Sequence, residues 1–206
     1  MDFQQGLITT IHEYGISKDL LKELNKKLKN RPTAILIPCL YEEFERPALK
    51  DIKEVLKDLN GLNELVIALS AKSKEQAKAA KAFFDSMPFP VHIQWTNSPS
   101  VIELLKSQEK NGLELLGTPG KGWAVWQGIG VATRRSEVVA LFDADIRTFS
   151  NLYPSKMILP LLDDSFGISY VKAFYSRLSL ETNELQGRAT RPVSYTHLTL
   201  PTSYPV

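Results

Sequence analysis

Two carboxylates stand one residue apart in Asp143-Ala144-Asp145, directly after the apolar run Val138-Val139-Ala140-Leu141-Phe142. At the end of a buried strand such a pair can share a divalent ion. Alternatively, one carboxylate holds the metal while the other holds a ribose. Hard carboxylate oxygens suit Mg²⁺ or Mn²⁺, which keep waters and complete their shells with substrate phosphates. By itself Asp-x-Asp also serves as a solvated turn or a helix N-cap, and its place after the strand leaves the two readings level. Pro119-Gly120-Lys121-Gly122 precedes a helical stretch. Its glycines let the backbone approach a phosphate, the helix N-terminus favours an anion, and Lys121 adds a point charge. The GxxxxGK[ST] spacing of the nucleoside-triphosphatase loop is absent, and alone the segment reads more simply as a loop with a solvated lysine. Pro38-Cys39-Leu40-Tyr41-Glu42-Glu43 follows the first apolar run. Main-chain groups there can read a nucleobase edge, and a carboxylate can hold a ribose hydroxyl. Glu42 and Glu43 would equally suit the start of a helix, and Cys39 the interior.

Other segments carry weaker chemistry. Val171 to Arg177 alternates in strand fashion and sets cations near a rim. Gly187-Arg188-Ala189-Thr190-Arg191 offers guanidinium forks for a phosphate or carboxylate, or simply a solvated surface. His12, His92 and His197 have no metal-ligand spacing, and no Ser/His/Asp or Cys/His set suggests a nucleophile. Trp123 and Trp126, three apart on one helix, read as core rather than as a sugar platform.

The elements that must position these residues alternate between strand and helix. Apolar runs at Thr33–Pro38, Glu64–Leu69 and Val138–Phe142 predict buried strands, and Val91–Trp95 a further strand after Pro88-Phe89-Pro90. Between them lie helical repeats: Leu20, Leu21, Leu24 and Leu28 after a Ser17 cap, and Leu49 to Leu59 closed by Asn60-Gly61. Further helices are predicted from Ser73 to Phe84, Ser98 to Gln108, Trp123 to Thr133 and Leu152 to Leu162, and a last strand from Ile168 to Ala173. The pattern predicts an α/β fold, a mostly parallel sheet with helices on both faces. Ligands of such sheets bind outside the carboxyl ends of the strands, where Tyr41–Glu43, Ser70–Ser73 and Asp143–Asp145 fall.

Composition narrows the classes. The chain has 206 residues and 25 basic against 23 acidic side chains, which excludes a polybasic nucleic-acid arm as its main business. The lone cysteine, Cys39, excludes an internal disulfide framework and fits a reducing, cytoplasmic setting. No apolar run approaches the ~20 residues that span a bilayer, and Met1 to Gly15 lacks the pattern of a signal peptide. Val193 to Val206 carries no Lys, Arg, Asp or Glu and fits no periodicity of what precedes it. Ten successive residues there, Val193 to Thr202, resemble the translation of a sequencing adaptor, so native sequence is expected to continue past about Arg191.

Taken in order, five segments resemble one family. They are Ile35 to Glu43, Pro119-Gly120-Lys121-Gly122 with Trp126 after it, Phe142-Asp143-Ala144-Asp145, Val171 to Tyr175, and Gly187-Arg188-Ala189-Thr190. The family is that of the glucosyl-3-phosphoglycerate synthases, retaining glucosyltransferases that use a nucleotide-activated glucose. The resemblance covers about Thr33 to Arg191. It implies a GT-A-like nucleotide-binding sandwich at 33–192, incomplete at its carboxyl end, after an amino-terminal helical extension at 1–32 and before the adaptor-like tail at 193–206. By position, Pro38, Leu40 and Glu42 would line the nucleotide site, and Lys121 would contact the diphosphate or sugar. Asp143 would sit near ribose and sugar, with Lys121 and Asp143 as the catalytic pair and Asp145 as the direct Mg²⁺ (or Mn²⁺) ligand. Arg188 and Thr190 would hold the phosphate of 3-phosphoglycerate. The resemblance implies UDP- or GDP-glucose as donor, a homodimer, and neither nucleic-acid nor membrane partners. A mannosyl or other GT-A transferase is the alternative within the fold, and a non-catalytic nucleotide-binding fragment the alternative outside it. Tyr41 stands where the family commonly has Asn, and Ser70-Ala71-Lys72-Ser73 replaces a serine-rich acidic loop. The family's histidine metal ligand falls beyond Arg191, so the chain as it stands is expected to be inactive.

Overall fold

A computed structural model describes residues 19–109, 111–112 and 120–173, which fall in a compact unit running from Gly15 to Val171 but for Lys172 and Ala173. Four strands form one sheet: β1 (Thr33–Leu40), β2 (Glu64–Ser70), β3 (Val91–Trp95) and β4 (Val138–Leu141). Their order is β3-β2-β1-β4 and every pairing is parallel. Parallel neighbours need crossovers, and the helices supply them. Helix α1 (Leu20–Leu28) precedes β1, the crossovers are α2 (Pro47–Leu56), α3 (Lys74–Phe83), α4 (Pro99–Glu109) and α5 (Lys121–Ala132), and α6 (Leu152–Leu162) follows β4.

The unbroken apolar character of β1 and β2 has a simple cause. Ala34, Leu36, Val66 and Ala68 pack against Ala124 and Ala132 of α5. The alternate set, Ile35, Ile37, Leu65, Ile67 and Leu69, is fully inaccessible too, so both faces are covered. The predicted α/β architecture is therefore the one observed. Each fully buried Leu or Ile of this kind stabilises by about 1.5–3 kcal/mol relative to exposure.

Local signals set the helix starts. Asp19 caps α1 by accepting from the Lys22 amide at 3.1 Å, two residues after the predicted Ser17 cap, which lies outside the described residues. Pro47 opens α2, where a missing N–H costs nothing. Ser73 caps α3 through the Gln76 amide at 3.3 Å, as its position predicted. Gly61 adopts φ +101°, and a side chain there would crowd Lys29. Helix α1 packs on α6 within the same unit. Lys27 Nζ donates to the Leu162 carbonyl at 3.3 Å and Arg31 Nη1 to that of Leu161 at 2.8 Å.

Two sequence expectations are corrected. Ile168–Ala173 forms no strand: it follows a short 3-10 helix, Asp164–Phe166, and pairs with no described strand. Period-2 alternation is satisfied by any extended segment, and only a partner's ladder bonds make it a strand. Trp126 is not core but 42% exposed, because α5 presents its sheet-facing side through the small residues Ala124, Gly128 and Ala132 instead.

Candidate functional site

Strand order reverses at β1, with β2 on one side and β4 on the other, and a crevice of about 430 Å³ opens at the carboxyl ends of the strands. Each strand delivers part of the wall: Pro38 and Leu40 from β1, Ala68 and Ser70 from β2, Thr96 and Asn97 after β3, and Asp143 to Asp145 after β4. Helix α5 brings its first turn, with Gly120 as the N-cap and Lys121 as the first helical residue. First-turn amides of a helix have no intrahelical acceptor, so this end of the crevice favours an anion.

Lys121 Nζ donates to Asp143 Oδ1 at 2.5 Å. The contact is charge-assisted and half open to solvent, with the lysine side chain 60% and the aspartate side chain 29% exposed. The pair therefore positions charge more than it stabilises the fold. Asp145 is exposed and has no hydrogen-bond or ion-pair partner among the described residues. No three acidic, histidine or cysteine side chains group into a closed metal cage among the described residues. The donor set is thus one unengaged carboxylate beside one lysine-bound carboxylate. That fits Mg²⁺ or Mn²⁺, which binds through one or two carboxylates and takes its other ligands from water and phosphate oxygens.

Glu42 lies off this crevice. It lines an adjoining groove with Tyr41, Lys72 and Gln76, and the two cavities share Leu40, Ser70 and Asn97. Lys72 Nζ donates to Glu42 Oε1 at 2.9 Å. That hydrogen bond holds the Glu42 carboxyl below its ordinary range and the Lys72 ammonium above its own. The loop after β2 is clamped from β3: the Asn97 side chain accepts from the Ala71 amide at 3.1 Å and donates to its carbonyl at 3.0 Å, and Trp95 Nε1 donates to the same carbonyl at 3.0 Å. Cys39 lines the crevice as a buried thiol, pushed up to about 12 by burial and then by the Glu43 and Glu42 charges.

The structure thus brings Pro38, Leu40, Lys121, Asp143 and Asp145 to one crevice, with Glu42 next door. Arg188 and Thr190 lie outside the described residues, as do His12 and His197. His92 stands at the other end of the sheet, its Nε2 3.4 Å from the buried Glu64. Sequence reasoning missed Asn97, Thr96 and Trp123 as wall residues, while Glu43, one of the residues it placed after the first strand, does line the crevice. The strand-end rule applied to β3, as it was to the other strands, would have found Thr96 and Asn97. No helix described is long and apolar enough to cross a membrane.

No protein-family model matches the chain. It is 35% identical over 192 residues to the glucosyl-3-phosphoglycerate synthase of Methanococcoides burtonii, covering 93% of this chain and 48% of that protein. The enzyme of the same name from Persephonella marina is 32% identical over 200 residues, covering 95% of this chain and 48% of its own length. The chain therefore spans about half the length of the curated relatives it matches. Among solved structures, glucosyl-3-phosphoglycerate synthase from Mycobacterium tuberculosis with Mn²⁺, UDP and glucosyl-3-phosphoglycerate superposes at TM-score 0.48 and 21% identity, over 76% of this chain and 48% of that one.

Proposed function

We propose that this chain, a homologue of the glucosyl-3-phosphoglycerate synthases over nearly all of its length, forms the donor site of a metal-dependent retaining glycosyltransferase. The reaction moves glucose from UDP- or GDP-glucose to 3-phosphoglycerate. The observation that carries the reading is the Lys121–Asp143 contact beside the unengaged Asp145, at the strand ends and the α5 N-terminus.

In this reading the crevice takes the nucleoside diphosphate, with Pro38 and Leu40 against the nucleoside and Asp143 near ribose and sugar. Asp145, assisted by Asp143, would hold Mg²⁺ or Mn²⁺, which supplies positive charge to the diphosphate as the glycosidic bond breaks. Lys121 supplies a second cation from the protein. One charge ~4 Å from developing negative charge is worth on the order of 4 kcal/mol at an effective dielectric near 20. Realised only in the transition state, that is roughly a thousandfold in rate. Asp143 orients Lys121, so the ammonium is placed before the diphosphate arrives. The family resemblance supports retention, with the acceptor hydroxyl attacking on the face that the diphosphate leaves. It also supports Arg188 and Thr190 as holders of the acceptor phosphate, a cytoplasmic setting and a homodimer.

Two measurements test the reading. Calorimetry of the 206-residue chain with UDP and with GDP is expected to show binding that requires Mg²⁺. In a chain restored at its carboxyl end, release of nucleoside diphosphate from UDP-glucose, GDP-glucose or GDP-mannose is expected only with a glucose donor and only when 3-phosphoglycerate is present. Binding indifferent to Mg²⁺, or equal release with a polysaccharide acceptor, would overturn it.

A further inference from the structure

Two residues that line the crevice each carry a buried side-chain polar atom that the protein itself leaves without a partner. Glu43 follows β1 in a 3-10 helix, Tyr41–Glu45, and is only 8% exposed. Its Oε1 accepts from Arg46 Nη1 at 2.6 Å, while its buried Oε2 has no hydrogen-bond partner. Trp123 sits in the first turn of α5, and its Nε1 is likewise buried and unpartnered. Both side chains line the crevice, one from the β1 side and one from α5. A buried acceptor and a buried donor left unsatisfied are each destabilising, so native proteins rarely keep them without a partner in the working state.

We propose that Glu43 Oε2 and Trp123 Nε1 read the hydrogen-bonding edge of the donor's nucleobase, an inference that rests on the nucleotide-sugar reading above. A base edge sets an N–H beside an acceptor on one rigid plane, so its N–H donates to Glu43 and its carbonyl oxygen accepts from the Trp123 indole. The neighbouring wall favours a flat base over a polyol. Pro38, Ala68 and Ala124 offer apolar surface, against which sugar hydroxyls would go unpaired. The matching bases are those with a ring N–H next to a carbonyl, uracil and guanine.

Arg46 makes the Glu43 assignment testable by a small change. In Glu43→Gln the guanidinium retains the amide oxygen, which turns the –NH₂ to where Oε2 stood. The acceptor becomes a donor facing the base N–H. Trp123→Phe keeps the ring and removes only the N–H. Calorimetry in Mg²⁺ with UDP, N3-methyl-UDP and inorganic diphosphate reads both variants and the unaltered chain; GDP and N1-methyl-GDP replace the uridine ligands if GDP binds better. The unaltered chain is expected to bind the N-methylated ligand at least tenfold more weakly than its parent. Each variant is expected to lose about tenfold for the unmethylated nucleotide and nothing for diphosphate, and Glu43→Gln to lose most of the methyl discrimination. If methylation and both variants change nucleotide affinity less than twofold, the base-edge inference fails while the donor-site reading stands. It fails equally if the variants weaken diphosphate as much as nucleotide, since the two atoms then serve the fold. If no nucleoside diphosphate binds the unaltered chain, the donor-site reading fails and takes this inference with it.

Discussion

Lys121 and Asp143 form a solvent-accessible ion pair whose proposed role is chemical rather than stabilising. An exposed pair is worth about 0–1 kcal/mol to folding, because water already solvates both charges. In the proposed reaction the same ammonium would meet the additional negative charge that develops on the diphosphate as it departs. In a chain restored at its carboxyl end, Lys121→Met is therefore expected to lower kcat/KM roughly a thousandfold while changing unfolding free energy by less than about 1 kcal/mol. Steady-state kinetics and urea unfolding on the same sample check both halves. A stability loss of several kcal/mol would recast the lysine as structural. Cys39 behaves in the opposite way. Its folded-state ionisation is pushed up to about 12 from the ordinary 9.0, so the native state favours the neutral thiol. Below about pH 9 both states hold the proton and stability is unaffected by this group. As pH rises through the window from about 9 to 12, the unfolded chain releases the proton first, and stability falls by about 1.4 kcal/mol per pH unit. Unfolding curves at pH 8.5 and 10.5 are expected to show a larger loss for the unaltered chain than for Cys39→Ala, by about 2 kcal/mol. Equal losses would show that the thiol titrates normally.

Among the elements, α5 decides the site's shape. It starts at Lys121, two residues before the sequence-predicted Trp123, and this early start makes the lysine part of the helix N-terminus. The helix can lie close on the sheet because Gly128 has no side chain. An added Cβ would stand 2.4 Å from Leu36 Cδ1 and 3.2 Å from the Ala68 Cβ. Leu36 is fully buried and cannot swing clear, so Gly128→Ala is expected to destabilise by about 1–3 kcal/mol. Leu36→Val, which removes the obstructing methyl, is expected to recover most of that in the double variant, and urea midpoints for the four-member cycle measure it. No recovery would place the strain elsewhere. This contact also shows where sequence legibility ends. Strands β1 and β2 were legible because residues covered on both faces must be apolar, and the strand-end rule then picked out Asp143 and Asp145, while Pro38 came from the family resemblance. Helix α5 is apolar nearly all round, so periodicity could not tell that Gly128 meets the sheet, that Trp126 faces solvent or that Trp123 turns into the crevice. Ile168–Ala173 was misread for a related reason: alternation is a local property, and a strand needs a partner that only the fold supplies.

For the molecule as a whole, the sheet separates rigidity from reactivity. Both faces of β1 and β2 are sealed by packing, whereas their carboxyl ends open on Lys121, Asp143 and Asp145. A ligand that binds there only in the folded state must therefore stabilise the entire unit. At a hundred times its dissociation constant it contributes about 2.7 kcal/mol. For a domain of roughly 150–250 residues each kcal/mol moves the melting temperature by about 2–4 °C. A nucleoside diphosphate with Mg²⁺ is thus expected to raise the melting temperature by roughly 5–10 °C, and chelating the metal with EDTA to remove most of the rise. Asp145 allows the metal's share to be isolated. It is exposed and has no partner among the described residues, so Asp145→Asn is expected to shift the ligand-free melting temperature by no more than about 2 °C. The same substitution weakens a hard-cation ligand and leaves the crevice wall unchanged. Scanning calorimetry of Asp145→Asn with nucleotide and Mg²⁺ should then match the natural chain with nucleotide and EDTA. A full ligand shift retained by Asp145→Asn would mean that the cation is held elsewhere, and Asp143 would become the carboxylate to test next.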